Sequence, residues 1–310
     1  MAESVLWNRR NFIKAAFGTA GYLVVQGTPL KAFAKEETVK ITILHTNDVH
    51  SRIEPFPMDG SRNAGSGGFA RRATLVEQIR KEEKNVLLLD AGDMWQGTPY
   101  FNFFGGSLEY KLMSEMGYDA ATIGNHDFDI GLEGLLKQMP NASFPLISSN
   151  YDFSNTILAG KVLKNKIFKQ QGVKIGVYGL GIELDGLVPK SLYQETIYND
   201  PLNEALQQEK YLAQDQQCDL VICLSHLGYK YKENKVSDQV LASKVKYTDL
   251  IIGGHTHTFM PEPERVANAA GKETLIFQVG FAGINLGRVD YVLNKKTRKK
   301  LGFGNPVKIS

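Results

Sequence analysis

Five times along the chain a short, almost purely apolar run stops and polar, ligand-type residues follow at once. Residues 39–44 lead into His45-Thr46-Asn47-Asp48-Val49-His50, and residues 85–89 into Asp90-Ala91-Gly92-Asp93. Residues 120–123 lead into Gly124-Asn125-His126-Asp127, residues 220–224 into Ser225-His226, and residues 250–252 into Gly253-Gly254-His255-Thr256-His257. Runs this short, mostly apolar and rich in β-branched residues predict strands buried on both faces. Helical spacing separates them at 70–84, 108–116 and 201–217. Strand–helix alternation of this kind predicts an α/β layered domain. In such sheets, function gathers in the loops beyond the carboxyl ends of the strands, which is where all five polar clusters fall. Two further stretches stand out. Residues 52–68 form a long Pro- and Gly-rich loop, readable as functional or as a plain surface excursion. Residues 278–290 read as a Gly-rich turn entering a late strand, where missing side chains let backbone approach the site.

The clusters hold a consistent donor set. In extended chain, residues i and i+2 project to the same side, so Asp48 and His50 can grip one cation, as can His255 and His257. Asp93, Asn125 and His226 each follow a buried strand. Oxygen and imidazole donors without thiolates suit zinc, manganese, iron or cobalt. Seven donors are too many for one tetrahedral ion and suit two divalent ions sharing a carboxylate, about 3.5–4 Å apart. All six histidines of the chain lie in these clusters. His126, beside Asn125, is placed to stabilise a transferring phosphoryl group or protonate a departing alkoxide. Asp129 can orient it by a hydrogen bond or cap a helix beginning near residue 131.

Composition narrows the class. The 310 residues are 43% hydrophobic and 22% charged, ordinary for a globular protein with a sizeable core. The formal charge is +3, and residues 1–34 carry all of it through Arg9, Arg10, Lys14 and Lys31 against Glu3. The body is therefore neutral, and nucleic-acid binding by bulk electrostatics is unsupported. The basic run at 295–300 reads as a solvated turn near a hairpin. Cys218 and Cys223 flank one strand, about 16 Å apart, and cannot bridge each other. At the N-terminus, Arg9-Arg10, an apolar stretch to Val25 and the small residues Ala32-Phe33-Ala34 resemble a twin-arginine export signal. The stretch is too short for a comfortable membrane span. The expectation is a signal over 1–34, a single catalytic domain over 35–310, and a periplasmic or exported protein with no stable membrane span.

The strings LHTNDVHS, DAGDMWQGT, IGNHDFDIG, CLSHLG, GGHTHT and QVGFAGINLG, in that order, resemble the motifs of the calcineurin-like metallophosphoesterases. The branch resembled is the bacterial 5′-nucleotidase and 2′,3′-cyclic-nucleotide phosphodiesterase group, over residues 38–293. The resemblance implies a four-layer α/β/β/α sandwich with mixed sheets and a dinuclear metal site at the carboxyl ends of the strands. It implies that Asp48, His50 and His257 hold one ion, that Asn125, His226 and His255 hold the other, and that Asp93 bridges. It makes His126 and Asp129 the catalytic pair and a phosphoester, most readily a nucleotide, the substrate. Some relatives carry Gln where His257 stands. Bacterial relatives continue into a second domain that stacks the nucleobase and binds ribose, whereas this sequence stops at Ser310. Either a separate polypeptide supplies that half in trans, or the domain acts alone as a broad phosphomonoesterase. Two other readings accompany it: a sulfur-oxidation-type thiosulfohydrolase on the same fold, and a non-catalytic metal- or nucleotide-binding subunit.

Overall fold

The computed structural model describes residues 38–310 apart from residue 234. Before them it describes only the pairing of Val24–Val25 with Thr28–Pro29. The export signal expected over 1–34 otherwise lies outside the described residues. Among the described residues, no helix is long and apolar enough to cross a membrane.

The strand β1 (Thr38–Thr46) is covered on both faces. Val39, Ile41 and Ile43 face one core, while Leu44 faces another. The second face is buried but not purely apolar: Thr42 donates to Asp290 Oδ1 (2.6 Å) and Lys40 pairs with Glu83 (2.6 Å), so its polar residues are kept only with partners. Downstream come β2 (Val86–Asp90), β3 (Ala120–Ala121), β4 (Asn165–Gln170), β5 (Val173–Leu180) and β6 (Leu220–Ser225). They are followed by β7 (Leu250–Gly253), β8 (Glu264–Ala267), β9 (Glu273–Phe277), β10 (Asn285–Asn294) and β11 (Lys300–Lys308). Of the two large sheets, one has the order β11–β10–β1–β2–β3 and the other β8–β9–β7–β6–β5–β4. Both are mixed. In the first, β1, β2 and β3 run parallel, while β10 and β11 are antiparallel. In the second, β5, β6, β7 and β9 run parallel and the two edge strands antiparallel.

The helices α1 (Phe69–Glu82), α2 (Pro99–Phe104), α3 (Ser107–Glu115) and α4 (Gly131–Gln138) belong to the first sheet. Val76, Ile79, Tyr110, Met113, Leu132 and Leu135 pack with Leu44 and Leu88 on its outer face. The helices α5 (Pro201–Lys210) and α6 (Asp238–Lys244) cover the second sheet, where Ala205, Leu241 and Ala242 meet Val221, Cys223 and Ile251. Between the sheets, Ile41, Ile43 and Leu87 meet Val177, Ile222, Leu250 and Phe277. These three cores define the four layers that the resemblance implies. Local chemistry marks the helix starts. The Asp200 carboxylate accepts from Asn203 N with Pro201 following, and the Ser237 hydroxyl accepts from Val240 N. The helix expected over 201–217 keeps α geometry only to Lys210 and then widens into a π-type turn over Tyr211–Asp215. Both cysteines are free and buried. Of the basic run at 295–300, residues 295–299 form the exposed turn between β10 and β11, while Lys300 opens β11 and pairs with Asp249 (2.5 Å).

Candidate metal centre

The loops after β1 and β2 stay knitted together past the strand ends. Asp48 N donates to Gly92 O (2.9 Å), His50 N to Asp93 O (3.0 Å) and Ser51 N to Met94 O (3.0 Å). The chain there is not extended, as the same-side reading of Asp48 and His50 assumed. Asp48, His50, Asp93, His255 and His257 all have left-handed backbone, with φ between 51° and 71°. Each non-glycine residue in that region carries strain that the surrounding bonds must hold, and such residues concentrate at functional sites. Asp48 and His50 do converge, but through left-handed backbone rather than strand pleat, whereas His255 and His257 fall in different donor groups and do not grip one cation. Two glycines allow the Asp93 and Asn125 loops to touch. A Cβ on Gly124 would lie 2.2 Å from Asp93 Oδ1, and one on Gly92 would lie 2.6 Å from Gly124 N.

These loops bring together every donor named from the sequence. Asp48, His50 and His257 offer atoms within 4.8 Å of one another, and so do Asp93, His226 and His255. Asn125 Oδ1 lies 2.9 Å from His255 Nδ1. His50 Nε2 and His257 Nε2 face each other at 3.0 Å. Asp93 Oδ2 lies between the groups, 3.1 Å from His226 Nε2 and 3.9 Å from His50 Nε2. His226 Nε2 is fully buried and, despite that approach, lacks hydrogen-bond geometry to any partner. Converging donors, nitrogen facing nitrogen and a buried orphan atom are what ligands of common cations present. The far sides of two of these rings are tied to backbone. His226 Nδ1 donates to Ala91 O (2.7 Å) and His50 Nδ1 to Gln96 O (3.1 Å), which leaves both Nε2 atoms free to ligate. The residues present fit two divalent ions.

The electrostatics agree. Burial pulls the His226 pKa down, but Asp93 and Asp48 outweigh it and raise it to about 10 in the metal-free protein. The cluster thus holds a proton where a cation would replace it. His255 is lowered to about 4, first by burial and then by the charge on His226. His126 stands at the edge of the cluster, half-exposed and edge-on to His50 at 5.3 Å, with Nδ1 2.9 Å from Asp129 Oδ2. That hydrogen bond is the main cause of its raised pKa. Asp129 therefore serves His126 rather than capping α4, whose N-cap position is Ile130.

Three residues that the sequence reading passed over hold this arrangement. The buried Asp127 carboxylate accepts four backbone N–H bonds, from Gly124 (2.8 Å), Asp93 (3.0 Å), Met94 (3.0 Å) and Trp95 (3.3 Å). Asn47 donates to Asp48 Oδ2 (2.5 Å) and Gly280 O (2.6 Å) and accepts from Val279 N (3.1 Å), which draws the Gly-rich late segment against the site. Gln278 accepts from Thr258 N (2.5 Å, through Oε1) and donates to Gly254 O (2.7 Å), bracketing His255 and His257. Asp127 and Asn47 sit inside quoted motifs, but nothing local distinguishes a backbone clamp from a ligand. Conversely, His45 is no ligand. It points with Ile41 and Ile43 between the sheets, edge-on to Phe277 at 5.1 Å, and neither ring nitrogen has a partner.

Comparison with known proteins follows from this geometry. A family model described as calcineurin-like phosphoesterase matches residues 41–259. Snake venom 5′-nucleotidase from Crotalus adamanteus is 35% identical over 289 aligned residues, covering 86% of this chain and 48% of that protein. The structure of a 5′-nucleotidase precursor from Thermus thermophilus superposes with a TM-score of 0.79 at 29% identity, over 87% of this chain and 55% of that one. A sulfate thiohydrolase from Thermus thermophilus shares the fold, with a TM-score of 0.72 at 18% identity over 87% and 56% of the two chains. The chain spans about half the length of the curated relatives it matches. With most of its length covered by the family model and by a relative above 30% identity, this chain belongs to the calcineurin-like phosphoesterase family.

Proposed function

We propose that the protein hydrolyses phosphate esters, most readily 5′-nucleotides, at a site for two divalent ions. One observation carries the reading: the Asp93 carboxylate lies between two groups of buried and half-buried donors on four separate loops. Asp48, His50 and His257 would hold one ion, Asn125, His226 and His255 the other, and Asp93 both. When bound, such ions acidify water and neutralise the charge that builds on a phosphoryl group. The chain does the rest. Its left-handed loops fix the donors, and Asp127 keeps the Asp93 and Asn125 loops in register. His126, its proton held by Asp129, stands at the rim to stabilise the phosphoryl group or protonate the departing alkoxide.

The nucleotide preference is supported by the names of the relatives, 5′-nucleotidases over 86–87% of this chain. The comparisons lend no support to a separate polypeptide, and the reading needs none. The thiohydrolase likeness is one of fold alone and favours no second chemistry. A purely binding role is disfavoured because every donor and the His126–Asp129 pair are in place. Export through a twin-arginine signal is supported by the residue pattern at the N-terminus. Elemental analysis of the purified protein, with phosphate release from a panel of nucleotides and simple phosphomonoesters, tests the proposal. The wild type should carry two equivalents of metal and release phosphate. Asp93→Ala should lose metal and turnover together, because a bridging ligand has no substitute. Turnover retained in metal-free protein would refute it.

A further inference from the structure

A cleft of about 270 Å³ opens beside the metal centre, between the long 52–68 loop and the late Gly-rich segment. Its wall begins at a metal-ligand candidate. The Phe281 ring lies flat against His257, with centroids 5.2 Å apart and planes at 14°, and the same ring lines the cleft. Phe259 meets Phe281 almost perpendicularly, at 5.9 Å and 79°, so the two rings form a corner. Phe259 is 45% exposed, a high value for a phenylalanine. Asn63 and Asn285 add amide groups, and Arg62 and Lys308 add positive charge. None of the lining residues is acidic.

Resting on the phosphoesterase reading, we infer that this corner receives the nucleobase of the substrate's leaving group. The catalytic domain would thus carry a base site of its own. Each feature answers one property of a nucleobase. A flat π-face stacks on an exposed ring, and stacking is tolerant of base identity because every base has one. Polar ring edges pair with amides, which both donate and accept. The cations, with no carboxylate in the lining, draw an anionic nucleotide towards the cleft and stack favourably on its ring. An aliphatic leaving group could use only the metal side of His257 and would gain nothing from the corner. The long loop then has a role: it brings Arg62 and Asn63 over a cleft whose other wall is the late segment.

The test separates base binding from hydrolysis. Adenosine is titrated calorimetrically into the metal-free protein, the Phe259→Ala variant and the Phe259→Tyr variant. In parallel, kcat/KM for adenosine 5′-monophosphate is divided by that for ribose 5-phosphate in the metal-loaded proteins. Adenosine should bind the wild type. Phe259→Ala should weaken it about fivefold or more, the low end of what losing one ring from a base stack costs, and Phe259→Tyr should retain it. The kinetic ratio should exceed one and fall by a similar factor in Phe259→Ala. No adenosine binding, or binding and ratio alike in all three proteins, overturns the base site while phosphate release leaves the hydrolase standing. No phosphate from either ester, in protein shown to contain metal, overturns the hydrolase reading itself.

Discussion

Replacing Asp127 by Ala removes no metal ligand, yet it should disturb the metal centre as much as losing one. The carboxylate is fully buried and accepts N–H bonds from residues 93, 94, 95 and 124, three of them at 2.8–3.0 Å. An orphaned buried donor costs about 1–3 kcal/mol. Counting only the three well-formed bonds at the low end gives about 3 kcal/mol. At about 2–3 °C per kcal/mol for a domain approaching this size, Tm should fall by about 6–9 °C. Because those donors belong to the loops that present Asp93 and Asn125, metal content should fall too. Calorimetry in excess chelator isolates the first effect, and elemental analysis after metal loading reads the second. Asp59→Ala is the control, since the exposed Asp59 bonds only locally to Ser61 N and surface changes rarely exceed about 0.5 kcal/mol. Asp127→Asn should fall between, because an amide oxygen can accept only part of the set and its NH₂ faces donors. An Asp127→Ala protein with full metal content and a Tm within about 2 °C of wild type would refute the reasoning.

Other outcomes follow from the same geometry. His126→Ala should keep its metal, since the side chain stands outside both donor groups, and lose about 10²–10⁴ in kcat; unchanged turnover would remove its catalytic assignment. Gly124→Ala should lose metal despite the small change, because the new Cβ would sit 2.2 Å from Asp93 Oδ1; elemental analysis decides, and full occupancy would show that the loops can part freely. His45 bears on pH. Burial lowers its pKa to about 3, so below about pH 6.5 the unfolded chain binds a proton the folded chain refuses, and stability falls as pH drops towards 3. His45→Leu should therefore flatten that decline between pH 6.5 and 4 in urea titrations; a slope identical to wild type would place the proton uptake elsewhere.

Much of this architecture can be read along the chain, for a local reason. A strand buried on both faces is apolar along most of its length, and its end turns polar where it meets solvent or a ligand. β1, β2, β6 and β7, with the donors that follow them, were thus visible without coordinates. β3 shrank to two residues because the chain turns at once into the loop carrying Asn125. The helix over 201–217 was visible in extent, but its π-type end was not, since periodicity cannot register one added residue per turn.

What each polar residue does depended on partners far away in sequence. His45 and His50 look alike in one short cluster, yet strand direction sends His45 between the sheets and a left-handed turn sends His50 into the site. Asp127 and Asp129 are two residues apart, and only folding decided that one clamps four amides while the other holds a histidine. His50 meets His257 across 207 positions, and Asn47 meets Gly280 across 233. Hydrophobic period and strand length are set by neighbours in the chain and so are written in it. Which loops abut, and in what backbone handedness, is settled by packing two sheets together, and no local pattern records that.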